Sequence, residues 1–228
     1  MNKISVIIPA LNEEKSISYV INSIPKYVNQ IIVVDNGSSD NTSFIAKSNG
    51  ATILNESNKG YGYACLKAIK FIKKNPCDII VFLDGDFSDY PEDIDLLIDP
   101  IIKKKYEFVI GSRIKSLREP GSMTMQQIFG NSLACFLLKI LYGANFTDLG
   151  PFRAIKWSSL QKLKMEDKTF GWTIEMQLKA IKHNIKYTEI PVRYRKRIGK
   201  SKISSTLLGN IMAGYKILFW IFKYYLKK

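Results

Sequence analysis

Short apolar runs closed by polar or acidic clusters set the strongest limit on how this chain folds. Ile4-Ser5-Val6-Ile7-Ile8-Pro9 leads into Asn12-Glu13-Glu14, and Gln30-Ile31-Ile32-Val33-Val34-Asp35 into Asn36-Gly37-Ser38-Ser39-Asp40. Asp78-Ile79-Ile80-Val81-Phe82-Leu83 ends in Asp84-Gly85-Asp86, and Glu107-Phe108-Val109-Ile110-Gly111 in Ser112-Arg113. Ala51-Thr52-Ile53-Leu54 is a shorter run of the same kind. Runs that are apolar on both faces are expected of strands covered on both sides, as in a parallel sheet. Between them, apolar residues recur at helical spacing: Ile17, Val20, Ile21 and Ile24, then Ala64, Ala68 and Ile72, then Ile94, Leu97 and Ile98. Strand and helix in alternation predict a doubly wound, mostly parallel α/β sheet flanked by helices.

Punctuation along the chain refines this. Pro9 is expected to stop the first strand, and Asn12-Glu13-Glu14 to start the first helix, where acids complement the macrodipole. Asn36–Asp40 reads as a turn that caps the second helix, and Asn58-Lys59-Gly60-Tyr61-Gly62 opens the third. Pro91 fits a first helical position, and Pro100 is expected to bend the helix that follows.

The polar clusters share one location, the carboxyl ends of the strands, where open α/β sheets bind ligands. Asp84 and Asp86 stand one residue apart there, and Gly85 leaves the backbone open to close approach. Hard divalent ions bind through one or two carboxylates together with substrate phosphates, so this triplet reads as a site for a metal and a diphosphate. By itself an Asp-x-Asp is also a solvated acidic turn. No Gly-x-Gly-x-x-Gly follows the first strand and no Gly-x-x-x-x-Gly-Lys-Ser/Thr occurs, which argues against a dinucleotide fold and a P-loop enzyme.

Composition narrows the class. The 228 residues suffice for one substantial core or a core with a small appendage. Cys65, Cys77 and Cys135 are odd in number and scattered, which fits a reduced, cytosolic chain without a zinc site. His183, the single histidine, lies in a polar stretch and reads as surface. With Met1 leading straight into the first strand, a cleavable secretory signal is not expected. A net charge of +14 calls for an anionic partner: nucleic acid, anionic lipid or a phosphorylated substrate.

Four stretches taken in order resemble the family 2 glycosyltransferases of GT-A fold: Val6–Glu13, Val33–Thr42, Asn58–Gly62 and Leu83–Asp86. The similarity is closer to the dolichyl-phosphate mannose synthase and polyprenyl-phosphate glycosyltransferase branch, and it covers about the first 115 residues. It implies a UDP- or GDP-sugar donor and inversion at the anomeric carbon. Pro9, Ala10, Asn12, Glu13, Asp35 and Gly37 would then line the nucleoside pocket, with Lys59 and Gly60 flanking it. Asp84, Gly85 and Asp86 would serve the diphosphate, the two aspartates through Mg²⁺ or Mn²⁺.

The second half is less regular. Ser116–Gln127 reads as a mobile loop over the site, and Ile128–Tyr142 as a helix with a broad apolar face, for core or membrane. Thr147–Ile155 resembles the acceptor-side motif of the same enzymes, with an inserted Pro151. Asp148 is there either a general base or a structural group, and Arg153 accompanies it as a catalytic candidate. Glu175 reads as a packing or orienting group. Arg193–Lys202 resembles the family's terminal Arg-x-x-Gly-x-Ser-Lys loop. Lys202, with Arg113, Arg195 and Arg197, is expected to meet the leaving diphosphate or the acceptor phosphate, although a charge run alone is usually a solvated face.

We expect a GT-A domain over 1–205, its nucleotide-sugar half at 1–115 and its acceptor half at 116–205, followed by an amphipathic helix over 206–228. Leu207–Leu226 would span ~30 Å as a helix, but Asn210, Lys216 and Lys223 interrupt it. Leu207, Ile211, Leu218 and Ile221 fall near one face and the lysines on another, which favours a helix in the lipid interface over a bilayer span. Packing on the protein or on a second copy is the other option. Together these features predict a metal-dependent transferase, peripheral at the cytoplasmic face of a membrane, acting on a polyprenyl-phosphate acceptor. A sugar or other hydroxyl acceptor, a sugar nucleotidyltransferase and a basic membrane- or nucleic-acid-binding module are the alternatives. No nucleic-acid-binding motif accompanies the basic run, so nucleic acid is not an expected partner.

Overall fold

The computed structural model describes residues 2–199, 201 and 207–226, with the backbone alone at 207 and 208. Seven strands form one sheet in the order β3-β2-β1-β4-β6-β5-β7. The first half supplies β1 (Ile4–Ala10), β2 (Gln30–Asp35), β3 (Thr52–Asn55), β4 (Ile79–Phe82) and β5 (Phe108–Ser112). From the second half come β6 (Arg153–Lys156) and β7 (Tyr187–Pro191). All pairings are parallel except those of β6, which runs antiparallel between β4 and β5. The two halves therefore build one GT-A-like, mostly parallel sheet.

Period-two alternation along the strands sends side chains to two cores. Ile7, Ile80 and Phe82 enter one, covered by α3 (Tyr61–Ile72), α5 (Met125–Tyr142), α7 (Trp172–Lys182) and α8 (Leu207–Tyr225). Val6, Ile8, Ile79 and Val81 enter the other, under α1 (Ile17–Ser23), α2 (Thr42–Ser48) and α4 (Ile94–Ile102). The remaining helix, α6 (Trp157–Leu163), follows β6 and contributes Leu160 and Leu163 to the first core.

Two local expectations are corrected. β1 continues through Pro9, paired with Val34, to Ala10. The ladder to β4 ends at Ile7, so the proline is paired on one side only, a position that tolerates a missing N–H. α1 begins at Ile17, with no acid in its first turn. Residues 13–16 instead form a turn in which Ser16 and Ile17 N–H donate to Glu13 O. Pro91 opens a 3₁₀ turn, Pro91–Asp93, and Pro100 lies inside α4. α5 starts on a reciprocal cap, Thr124 with Gln127, and ends at Gly143 with φ +67°.

The C-terminal helix packs on α5 and α7. Trp220 and Ile221 are buried in the first core, and Lys216 and Lys223 reach Asp167 and Glu166. The face expected to meet lipid at Ile221 is thus turned to the protein, and the lysines are on the protein side. The exposed side is also apolar: Ile211, Met212, Tyr215, Phe219 and Phe222. A second exposed stripe, Met125, Phe129, Leu133, Phe136 and Ile140, runs along α5. Among the described residues no helix is long and apolar enough to cross a membrane.

Candidate active site

A cavity of about 300 Å³ opens at the carboxyl ends of β1, β2 and β4. Pro9, Ala10 and Glu13 line it after β1, Asn36 after β2, and Asp84, Gly85 and Asp86 after β4. Lys59, Gly60 and Tyr61 come from the start of α3. Thr169 and Phe170 enter from the turn before α7, and Arg197 and Ser201 from the basic stretch.

The loops interlock through short polar side chains. Ser39 N–H donates to Asn12 Oδ1 at 2.8 Å and Asn12 N–H to Ser38 Oγ at 2.9 Å, with Asn12 at φ +53°. Glu13 N–H donates to Thr42 Oγ1, and Ser16 Oγ joins Glu13 to the carbonyl of Gly85. Asp35 accepts from Ser38 N–H at 2.8 Å and from the Ser43 hydroxyl. Asp35, Gly37 and Asn12 therefore shape the loop beside the cavity and do not line it. Asn36 takes the lining position, its amide spanning Asn58 O and Gly60 N–H. The sequence carried a signal for this, since an Asn at a strand end can hold two loops at once.

The carboxylates are unequally satisfied. Asp86 Oδ1 accepts from Ser88 N–H and Oγ, and its Oδ2 lies 3.0 Å from Arg197. Asp84 Oδ1 is buried without a hydrogen bond. Burial, and then the Asp86 charge, pushes Asp84 up to about 7. Both oxygens of Asp89 are buried without hydrogen bonds, and burial with Asp84 and Asp86 raises it well above the usual carboxylate range. Among the described residues no group of three or more His, Cys, Asp or Glu side chains is placed to hold a metal. An Asp pair with an unsatisfied oxygen nevertheless fits a hard ion that takes its other ligands from phosphate and water.

The arginines are redistributed. Arg197 bridges Glu13 at 3.1 Å and Asp86 at 3.0 Å, across the cavity mouth. Arg195 donates to Phe87 O and Asp89 O, and its guanidinium lies over the rings of Phe87 and Tyr90. Arg113 grips Asp148 through side chain and backbone. Arg113 and Arg195 are each engaged by the chain and do not line the cavity, whereas Arg197 does. Lys202 lies outside the described residues.

Asp148 and Arg153 do not line the cavity. Burial would raise Asp148, but the Arg113 charge and its hydrogen bonds outweigh this and hold it below the ordinary range. A carboxylate so held is a poor proton acceptor, which favours the structural reading of Asp148 over the general base. Arg153 is fully buried, donates to Gly150 O and Thr173 O, and is pulled down to about 10 by burial. It ties the turn before β6 to the start of α7. Glu175 accepts from Glu166 and Asp167 N–H and pairs with Lys179, an orienting role.

A mostly parallel sheet with an acidic cavity at its strand ends defines a Rossmann-like α/β enzyme. Residues 5–169 match the model of glycosyl transferase family 2, and the chain belongs to that family. It is 32% identical over 238 residues to the UDP-N-acetylglucosamine–dolichyl-phosphate N-acetylglucosaminyltransferase of Methanococcus voltae, covering 95% of this chain and 93% of that protein. It is 30% identical over 196 residues to glycosyltransferase AglJ of Haloferax volcanii, covering 85% and 63%. The fold is shared with glucosyl-3-phosphoglycerate synthase of Mycobacterium tuberculosis, crystallised with Mn²⁺, UDP and phosphoglyceric acid. That TM-score is 0.78 at 22% identity, covering 98% of this chain and 78% of the synthase.

Proposed function

We propose that this glycosyltransferase moves a sugar, with inversion, from a UDP- or GDP-sugar to a phosphate-bearing polyprenyl lipid at the cytoplasmic face of a membrane. The observation that carries the proposal is the cavity joining Glu13, Asn36, Lys59, Asp84 and Asp86 at the strand ends. A nucleoside would lie toward Ala10, Asn36 and Gly60, and the diphosphate toward Asp84, Gly85 and Asp86. Asp86 and Asp84 would hold Mg²⁺ or Mn²⁺; when bound, such an ion offsets charge on the leaving diphosphate. Arg197, at the cavity mouth, adds a second positive charge there.

The lipid acceptor is supported by the paired apolar stripes of α5 and α8, by the high positive charge and by the dolichyl-phosphate relative. A phosphate acceptor has a second pKa of about 6 and is mostly ionised at pH 7, so it needs little help from a base. This agrees with an Asp148 that is fully engaged.

The test is product analysis with radiolabelled UDP- and GDP-sugars, Mn²⁺ and a polyprenyl phosphate. Label is expected in an acid-labile lipid, with one nucleoside diphosphate released per transfer. Label only in water-soluble or acid-stable products, or release of pyrophosphate, would contradict it.

A further inference from the structure

We infer that α8 sets the wall of the donor cavity, with Trp220 acting as a positioning residue through Asp167. The inference rests on the donor reading above. Thr169 and Phe170, which line the cavity, belong to the turn between α6 and α7. That turn is built around the Asp167 carboxylate, which is 2% exposed. Its Oδ1 accepts from Thr169 N–H at 2.8 Å and Gly171 N–H at 3.0 Å. Its Oδ2 accepts from Trp220 Nε1 at 2.7 Å and lies 3.4 Å from Lys216 Nζ. A buried carboxylate is costly unless every lone pair is met. Within the turn the N–H groups meet one oxygen, and α8 meets the other.

Three glycines show how closely the pieces fit. A Cβ at Gly171 would stand 2.3 Å from Trp220 Nε1, so only glycine admits the indole. On the opposite side, a Cβ at Gly60 would stand 2.3 Å from Lys168 O, and one at Gly62 would stand 2.1 Å from Asp167 O. Tyr63 N–H donates to Lys168 O at 3.0 Å. The turn is therefore held between α8 and the start of α3, whose Lys59, Gly60 and Tyr61 form the facing rim of the cavity. Since the outward side of α8 is apolar, whatever docks there acts on the helix that braces the donor wall.

The test combines amide hydrogen exchange at Thr169 and Gly171 with titration of UDP and of GDP, each with Mn²⁺, in vesicle-free buffer. Trp220→Phe removes the indole N–H. Asp167→Asn, nearly isosteric, serves if the first variant folds poorly. Each should speed exchange at both amides while α7 stays protected. Each should also weaken nucleotide binding roughly tenfold, the worth of one hydrogen bond to a charged group. Ile211→Ser, on the exposed side of α8, should leave both readouts at the parent values. Unchanged exchange, or faster exchange with unchanged affinity, overturns the inference. A parent that binds neither nucleotide overturns the donor reading itself, a result distinct from tight parent binding that the variants leave intact.

Discussion

Arg113 holds Asp148 at three points: Nε to Oδ2 at 2.8 Å, an outer guanidinium nitrogen to Oδ1 at 2.7 Å, and its backbone N–H to Oδ2 at 2.8 Å. The pair ties the end of β5 to the turn before β6, and both partners are nearly inaccessible. It fixes the turn that leads into β6.

Asp148→Asn should therefore behave chiefly as a stability variant. Removing one partner of a buried pair leaves a stranded charge and costs roughly 3 kcal/mol. Because the folded-state pKa of Asp148 is depressed, its contribution is complete above the unfolded value of about 3.9 and lost as pH falls through the folded value. The difference in melting temperature between parent and variant should stay constant above about pH 5 and close below about pH 4. A gap that widens in acid, or a folded variant inactive on a phosphate acceptor at every pH, would restore Asp148 as a base.

Gly62→Ala and Gly130→Ala should move stability in opposite directions. A Cβ at Gly62 would meet the Asp167 carbonyl at 2.1 Å, and backbone cannot step aside easily. The expected cost is about 1–3 kcal/mol, with weaker nucleotide binding. Gly130 lies within α5 with nothing near its Cβ, so alanine there should stabilise by about 0.5–1 kcal/mol. Thermal unfolding of the two variants checks both; equal effects would refute the close fit at Gly62.

The apolar stripes predict binding to anionic vesicles. Phe129 on α5 and Phe222 on α8 are 70% and 45% exposed, and burying a phenyl group fully is worth ~1.5–3 kcal/mol. The Phe129→Ser, Phe222→Ser double variant should lose most co-sedimentation while keeping its melting temperature, and added salt should weaken binding in the parent. Deleting α8 would be a poorer test, since Trp220 and Ile221 belong to the core. A parent that ignores such vesicles at physiological salt, or a double variant that binds as well, would assign the stripes to a protein interface.

The sheet and the acidic side of the cavity were legible because both follow from local pattern. Apolar runs on both faces marked the strands, and acids at their carboxyl ends marked the rim at Glu13, Asp84 and Asp86. Contacts made across long sequence separations were not. Arg197 lies 184 positions from the Glu13 it bridges, and nothing near Thr169 or Phe170 announces a cavity wall. The faces of α8 were misassigned for a physical reason: the helix is apolar on two sides, so periodicity alone cannot say which side packs. Arg113 and Arg195 lie off the cavity lining because each is held by the chain, and sequence shows a charge but not the partner that holds it.

The donor site is tested most directly by calorimetric titration of UDP- and GDP-sugars into the parent and into Asp86→Asn, with and without Mn²⁺. The parent should bind one nucleotide sugar, and only when the metal is present. Asp86→Asn should keep its fold but lose metal-dependent binding, because the amide no longer supplies the negative charge a divalent ion needs. Binding of equal strength in parent and variant, or binding indifferent to the metal, would contradict the assignment of the Asp84–Asp86 strand end as the donor site.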